Sequence, residues 1–119
     1  MSGAFELDRK TVASCAAAAF PAEPGVVVYA DRQPRQGGTV QVGTHTVTIT
    51  TTAVLIFRDE QPGANWMHRC SYALVAVAGR QVLARVAADR PPVFGTLPSS
   101  WIVVSDPDGM ADLAETEEK

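Results

Sequence analysis

The 119 residues are 46% hydrophobic and 19% charged, with a net charge of −3. These are globular proportions, too apolar for a disordered chain, and no apolar run approaches the ~20 residues that span a bilayer. Residues 1–105 carry nine Lys and Arg against seven Asp and Glu, a balance of +2 that leaves no electrostatic footprint for nucleic acid. The chain is expected to form one β-rich domain over residues 1–105, large enough to bury roughly two-thirds of its unfolded surface. An acidic tail over 106–119 completes it, in which Asp106, Asp108, Asp112, Glu115, Glu117 and Glu118 face Lys119 alone.

Residues 1–5 read as loose. Asp8 is placed to cap a short helix over residues 9–19, where Val12, Cys15, Ala16 and Ala19 recur at i, i+3, i+4, i+7. Pro21 ends it, because the residue before a proline avoids the helical region. A strand through 11–15 is the rival reading. The Val12-Ala13-Ser14-Cys15 run has the outline of a lipoprotein processing site, but Glu6, Asp8, Arg9 and Lys10 stand where an apolar signal segment would lie. The chain is therefore read as unsignalled and cytoplasmic.

Pro24-Gly25 turns into a short buried strand over 26–30. Residues 31–38, with Pro34 and Gly37-Gly38, read as a surface loop. Two β-rich runs then dominate the chain. In the first, Val40 and Val42 precede Gly43-Thr44, and residues 45–57 alternate Thr46, Thr48, Thr50 and Thr52 with Val47, Ile49, Ala53, Leu55 and Phe57. A two-residue loop with Gly first suits a type II′ hairpin, pairing Val42 with His45 and Val40 with Val47. From Val54 both faces are apolar, so that half of the strand is expected to be covered on both sides. The second run, 71–77, turns at Gly79-Arg80 and returns over 81–86. That pairing puts Val75 and Val77 on one face with Val82, Ala84 and Val86, and Leu74 with Leu83 on the other. The core expected from these patterns includes Val47, Ile49, Leu55, Val75, Val77 and Val82. Three prolines make residues 90–100 irregular, and residues 101–105 form a last strand. The fold expected is mainly β, an antiparallel sandwich or small barrel built from two hairpins with one short N-terminal helix.

One cluster stands out for chemistry. If residues 66–72 are extended, Trp66, His68, Cys70 and Tyr72 project to one face, two aromatics with an imidazole and a thiol in a row. The row either lines a ligand pocket or fills the core, where free cysteines usually sit. The loop over 90–100 supplies two further candidate contact residues, Arg90 and Phe94. A zinc site would need about four ligands, and the only His and Cys are Cys15, His45, His68 and Cys70 at no standard spacing, so no metal site is expected. The 106–117 segment lacks the ligand and the glycine that a calcium loop needs, since Met110 and Ala111 occupy those positions. Two cysteines allow one disulfide at most. No phosphate-binding loop and no Gly-x-Ser-x-Gly is present, and no cofactor is expected.

The function expected is a non-enzymatic protein–protein interaction or assembly module. It would be a homo-oligomer or an accessory or inhibitory protein that offers its stiff 90–100 loop to a partner. The alternative is a small-ligand binder or enzyme using the 66–72 row. Partners are thus a protein or a second copy, with neither nucleic acid nor membrane.

Overall fold

The computed structural model describes residues 6–61, 69–90 and 97–110. Helix α1 (Arg9–Ala19) is capped by Asp8, whose carboxylate accepts from the Thr11 amide at 2.8 Å. It buries Val12, Cys15, Ala16 and Ala19, the stripe its spacing predicts, so the rival strand does not form. Beyond it lie six strands: β1 (Val27–Asp31), β2 (Arg35–Val42), β3 (His45–Asp59), β4 (Cys70–Ala76), β5 (Val82–Ala88) and β6 (Trp101–Ser105). All pair antiparallel in one sheet of order β5-β4-β3-β1-β6, with β2 paired to β3 off that path, and the sheet is not closed into a barrel.

β3 is the strand that makes this sheet two-layered. Its first half pairs β2, from Val42 opposite His45 to Arg35 opposite Ala53. Its second half pairs β4 from Ala53 to Asp59, and β1 on the other side. A straight strand would put His45 about 40 Å from Phe57 at ~3.3 Å per residue, more than the molecule's longest extent of 35 Å. Instead the hairpin tip returns. A Cβ on Gly43 would lie 3.2 Å from the Tyr72 ring and 3.4 Å from Val86, and Tyr72 is the β4 partner of Phe57.

The bend falls where the β2–β3 register breaks, between Gln36 opposite Thr52 and Gly38 opposite Ile49. Gly37 and Gly38 there have φ of 100° and 85°, a left-handed backbone that side-chain-bearing residues resist. The hairpin thus folds over one face of the sheet while α1 covers the other.

Two cores result. On the helix side, α1 packs on Val28, Ala30, Val54, Ile56, Ala73, Val75 and Ile102. On the hairpin side, Val40, Val42 and Ile49 close over Tyr29, Leu55, Phe57, Tyr72 and Leu74. Tyr29, Phe57 and Tyr72 stand in register on β1, β3 and β4, with ring centroids 5.5 and 5.3 Å apart. Such offset contacts add to area burial.

Several expectations change. The 31–38 stretch is not one loop: Asp31 ends β1, and β2 begins at Arg35. Its glycines read as loop formers because a strand bulge uses the same residue type. The second hairpin turns through a 3-10 segment (Ala78–Arg80). Val75 and Val77 share a face with Val82, and Leu74 shares the other with Leu83, as expected. Val82 pairs Val75, but a bulge then sets Leu74 opposite Ala84. That slip moves Ala84 and Val86 to the hairpin-side core, while Val82 packs against the helix-side core. Val47, Val77 and Val82 are half-buried rather than core, whereas Ile49, Leu55 and Val75 are buried. The Val42–His45 and Val40–Val47 pairs form as expected, and Gly43 alone of the turn pair has positive φ, as type II′ requires.

Leu74 is fully buried between Phe57's strand and β5. Leu74→Ala is expected to cost about 2–5 kcal/mol in urea unfolding, the range for a cavity in a packed core. A loss below about 1 kcal/mol would mean that the hairpin does not seal this face.

Candidate functional site

Among the described residues, the hairpin does not cover its face completely. Between the β2 end of the hairpin, the end of β5 and the start of β6 lies an open cleft of ≈ 800 Å³. Leu55, Tyr72 and Trp101 reach its floor. Arg35 and Asp31 stand on one wall, Asp89 and Arg90 on another. A smaller hollow includes Gly37, Thr39 and Val40 and shares Arg35 and Gln41 with the cleft, so the two run together along β2.

Each wall holds its own charge balance. Arg35 Nη1 contacts the Asp31 carboxylate at 2.6 Å and donates to the Gln33 carbonyl at 2.8 Å. The other Asp31 oxygen accepts from the Gln33 amide at 3.0 Å. Asp31 is buried, so this pairing is what allows a carboxylate at the end of β1. Arg90 meets Asp89 at 3.2 Å, both exposed, a pair that water screens.

The sequence-derived row divides. Trp66, His68 and Phe94 lie outside the described residues. Cys70 and Tyr72 are buried on the hairpin side, and both donate to the same atom: the Arg90 carbonyl accepts from Tyr72 Oη at 2.7 Å and from Cys70 Sγ at 3.2 Å. Burial is the main cause of the Cys70 thiol's shift up to about 12, reinforced by the negative charges of Asp59, Glu60 and Asp89. Burial raises Tyr72 too, with Cys70 adding to it. A thiol held protonated at neutral pH is a donor, not a nucleophile. These two side chains fix the end of β5, and with it the Arg90 wall of the cleft.

Other candidate ligands are dispersed. Cys15 faces the helix-side core and Cys70 the opposite one, so the sheet stands between the two free thiols. His45 is exposed at the hairpin, beside Thr44. Among the described residues, no group of three or more His, Cys, Asp and Glu is placed to hold a metal ion. Asp106 forms a turn in which its carboxylate accepts from the Met110 amide at 2.7 Å, and Asp108 accepts from the Gly25 amide at 2.7 Å. Residues 111–119 lie outside the described set. No helix among the described residues is long and apolar enough to cross a membrane.

Sequence reasoning missed Asp31, Arg35, Leu55 and Trp101 as cleft residues. A carboxylate closing an apolar strand, four residues before an arginine, was the available signal. Leu55 comes to Tyr72 through the β3–β4 pairing, Asp31 and Trp101 through their places on β1 and β6, and Arg35 at the start of β2 through its ion pair with Asp31. No local pattern announces the gathering. No protein-family model matches the chain, and no curated protein or solved structure matches it.

The thiols give two testable outcomes. In the native protein both cysteines are expected to react with a thiol reagent only as fast as the fold opens, and equally slowly. Fast native labelling of Cys70 would contradict its placement. The Cys70 pKa is raised by folding, so its contribution to stability is complete below its ordinary value of 9.0 and lost as pH climbs toward about 12. Urea melts should therefore weaken across that window, and Cys70→Ala should flatten the decline.

Proposed function

We propose that the protein is a non-enzymatic interaction or assembly module that joins strands edge to edge, with a second copy of itself as the first partner. The observation that carries this reading is the outer edge of β5. The Ala76 amide donates to the Gln81 carbonyl, toward β5, and the Val77 amide to the Thr52 carbonyl, toward β3. Backbone groups alternate sides along a strand, so Leu74, Tyr72 and Cys70 bond their β5 partners Ala84, Val86 and Ala88. Arg85 and Ala87 then present their N–H and C=O groups outward.

Proteins usually guard such an edge with charge, proline or a covering element. In β5 the one charged residue is Arg85, and its guanidinium turns back to the end of α1. There it donates to the Ala19 carbonyl at 3.2 Å and lies 6.0 Å from the centre of the Phe20 ring. The rest of the strand is Val82, Leu83, Ala84, Val86, Ala87 and Ala88, and all but Ala87 are half-buried. Small side chains beside a ladder that no described residue pairs admit a second backbone. Antiparallel pairing of two β5 edges about a twofold axis would join two sheets into one, with the same surface used by both copies.

A second reading is supported by the cleft: its ≈ 800 Å³ volume falls within the ~300–1,000 Å³ of small-ligand sites. It makes the chain a binding protein whose Tyr72 and Trp101 meet the ligand.

Size-exclusion chromatography with light scattering tests the leading reading. The 12.6 kDa chain should run at twice its mass with rising concentration. Ala87→Pro removes one outward amide without cutting the β4–β5 ladder and should return the protein to monomer with its fold intact by circular dichroism. A protein that is monomeric at every concentration, or an Ala87→Pro variant that still dimerises, would contradict it.

A further inference from the structure

The β2 edge offers a second strand site, independent of β5. In a two-residue hairpin the flanking pair, here Val42 and His45, exchanges both backbone bonds. Val40 and Val47 do the same two residues on, so Thr39 and Gln41 between them point N–H and C=O away from β3. Among the described residues no backbone bond outside the β2–β3 ladder uses these groups. The cleft and the smaller hollow run alongside this edge. Val40 and Val42 point the other way, into the core, so the edge is held in place by the buried half of its own strand.

From this geometry we infer that the groove along the outer edge of β2 binds an extended, uncharged peptide segment of a partner protein as an added strand. The unpaired ladder selects extended backbone, because its alternating donors and acceptors match only another strand. The floor of Leu55, Tyr72 and Trp101 gives an apolar or aromatic side chain a seat. The walls give a charged segment little to gain: Arg35 is paired to the buried Asp31, and Arg90 and Asp89 stand together in solvent, of opposite sign and screened by water. A small molecule could use the floor but would leave the Thr39 and Gln41 groups unmatched. Binding should therefore be nearly insensitive to salt and sensitive to the peptide's own amides.

The probe is a displayed library of random linear peptides selected on the full chain, with enriched sequences synthesised and titrated by fluorescence anisotropy. Enriched peptides should be rich in β-branched and aromatic residues and poor in charge. N-methylation at alternate peptide positions should weaken binding about tenfold or more, with little effect at the positions between, because a strand donates from every second amide. Thr39→Pro should weaken binding by a similar factor. Thr48→Pro, on the opposite edge of the same hairpin, should not. If Thr39→Pro fails to fold, the N-methyl series decides on the unaltered protein. No enrichment, or binding indifferent to N-methylation, overturns the inference, as does affinity unaffected by Thr39→Pro in a folded variant. Competition by small aromatic compounds with no alternation in the N-methyl series also overturns it, in favour of a small-ligand cleft. Ala87→Pro should leave peptide binding unchanged, so failure at β5 and failure at β2 give different results.

Discussion

The structure depends on one strand changing partners midway. β3 gives its first half to β2 and its second half to β1 and β4, and the exchange falls at Ala53, paired both to Arg35 and to Ala76. Backbone hydrogen bonds are nearly obligatory for buried strands, so β3 must satisfy two sets of neighbours lying in different layers. Bending is the solution. It is permitted by Gly37 and Gly38 on β2 and by the loss of register opposite Thr50 and Thr51.

The remaining features are consequences of that bend. The folded hairpin supplies a second cover for a sheet whose second-half β3 residues are apolar on both faces, which α1 alone could not bury. It sets Gly43 against Tyr72 and Val86, where any larger residue would have to displace a ring or a methyl group. Between it, the end of β5 and the start of β6 lies the cleft. The bend also separates the edges: β3 turns away from the main layer, leaving β2 beside the cleft and β5 at the end of the sheet with no outer partner strand among the described residues. An all-antiparallel sheet that does not close must leave edges, and here their chemistry differs. β5 is apolar and small-residued, while β2 is polar and lies beside a groove.

Elements whose information is local were legible in the sequence. Asp8 and the Val12, Cys15, Ala16, Ala19 spacing specify α1 to the residue, and Gly43-Thr44 between alternating runs specifies the first hairpin and its register. The second hairpin was legible as far as Leu83, with Val75, Val77 and Val82 on one face and Leu74 and Leu83 on the other, but a bulge at Leu83 inverts the faces of Ala84 and Val86 without any glycine to mark it. The 31–38 stretch misled because Gly37-Gly38 and Pro34 signal a loop and a strand bulge alike. The cleft was nearly invisible. Cys70 and Tyr72 were singled out together and do meet, at the Arg90 carbonyl. Asp31, Leu55 and Trp101 join them only through contacts between residues far apart in sequence, to which periodicity is blind.

Amide hydrogen exchange measured across a concentration series tests most directly whether the outward backbone groups of β5 are an assembly surface. In dilute protein Arg85 and Ala87 should exchange fast while Ala84 and Val86, bonded to β4, stay protected. At high concentration Arg85 and Ala87 should gain protection together, in step with dimer formation. Amides at Arg85 and Ala87 that remain fast at every concentration, or that are already protected in the dilute monomer, would contradict the account.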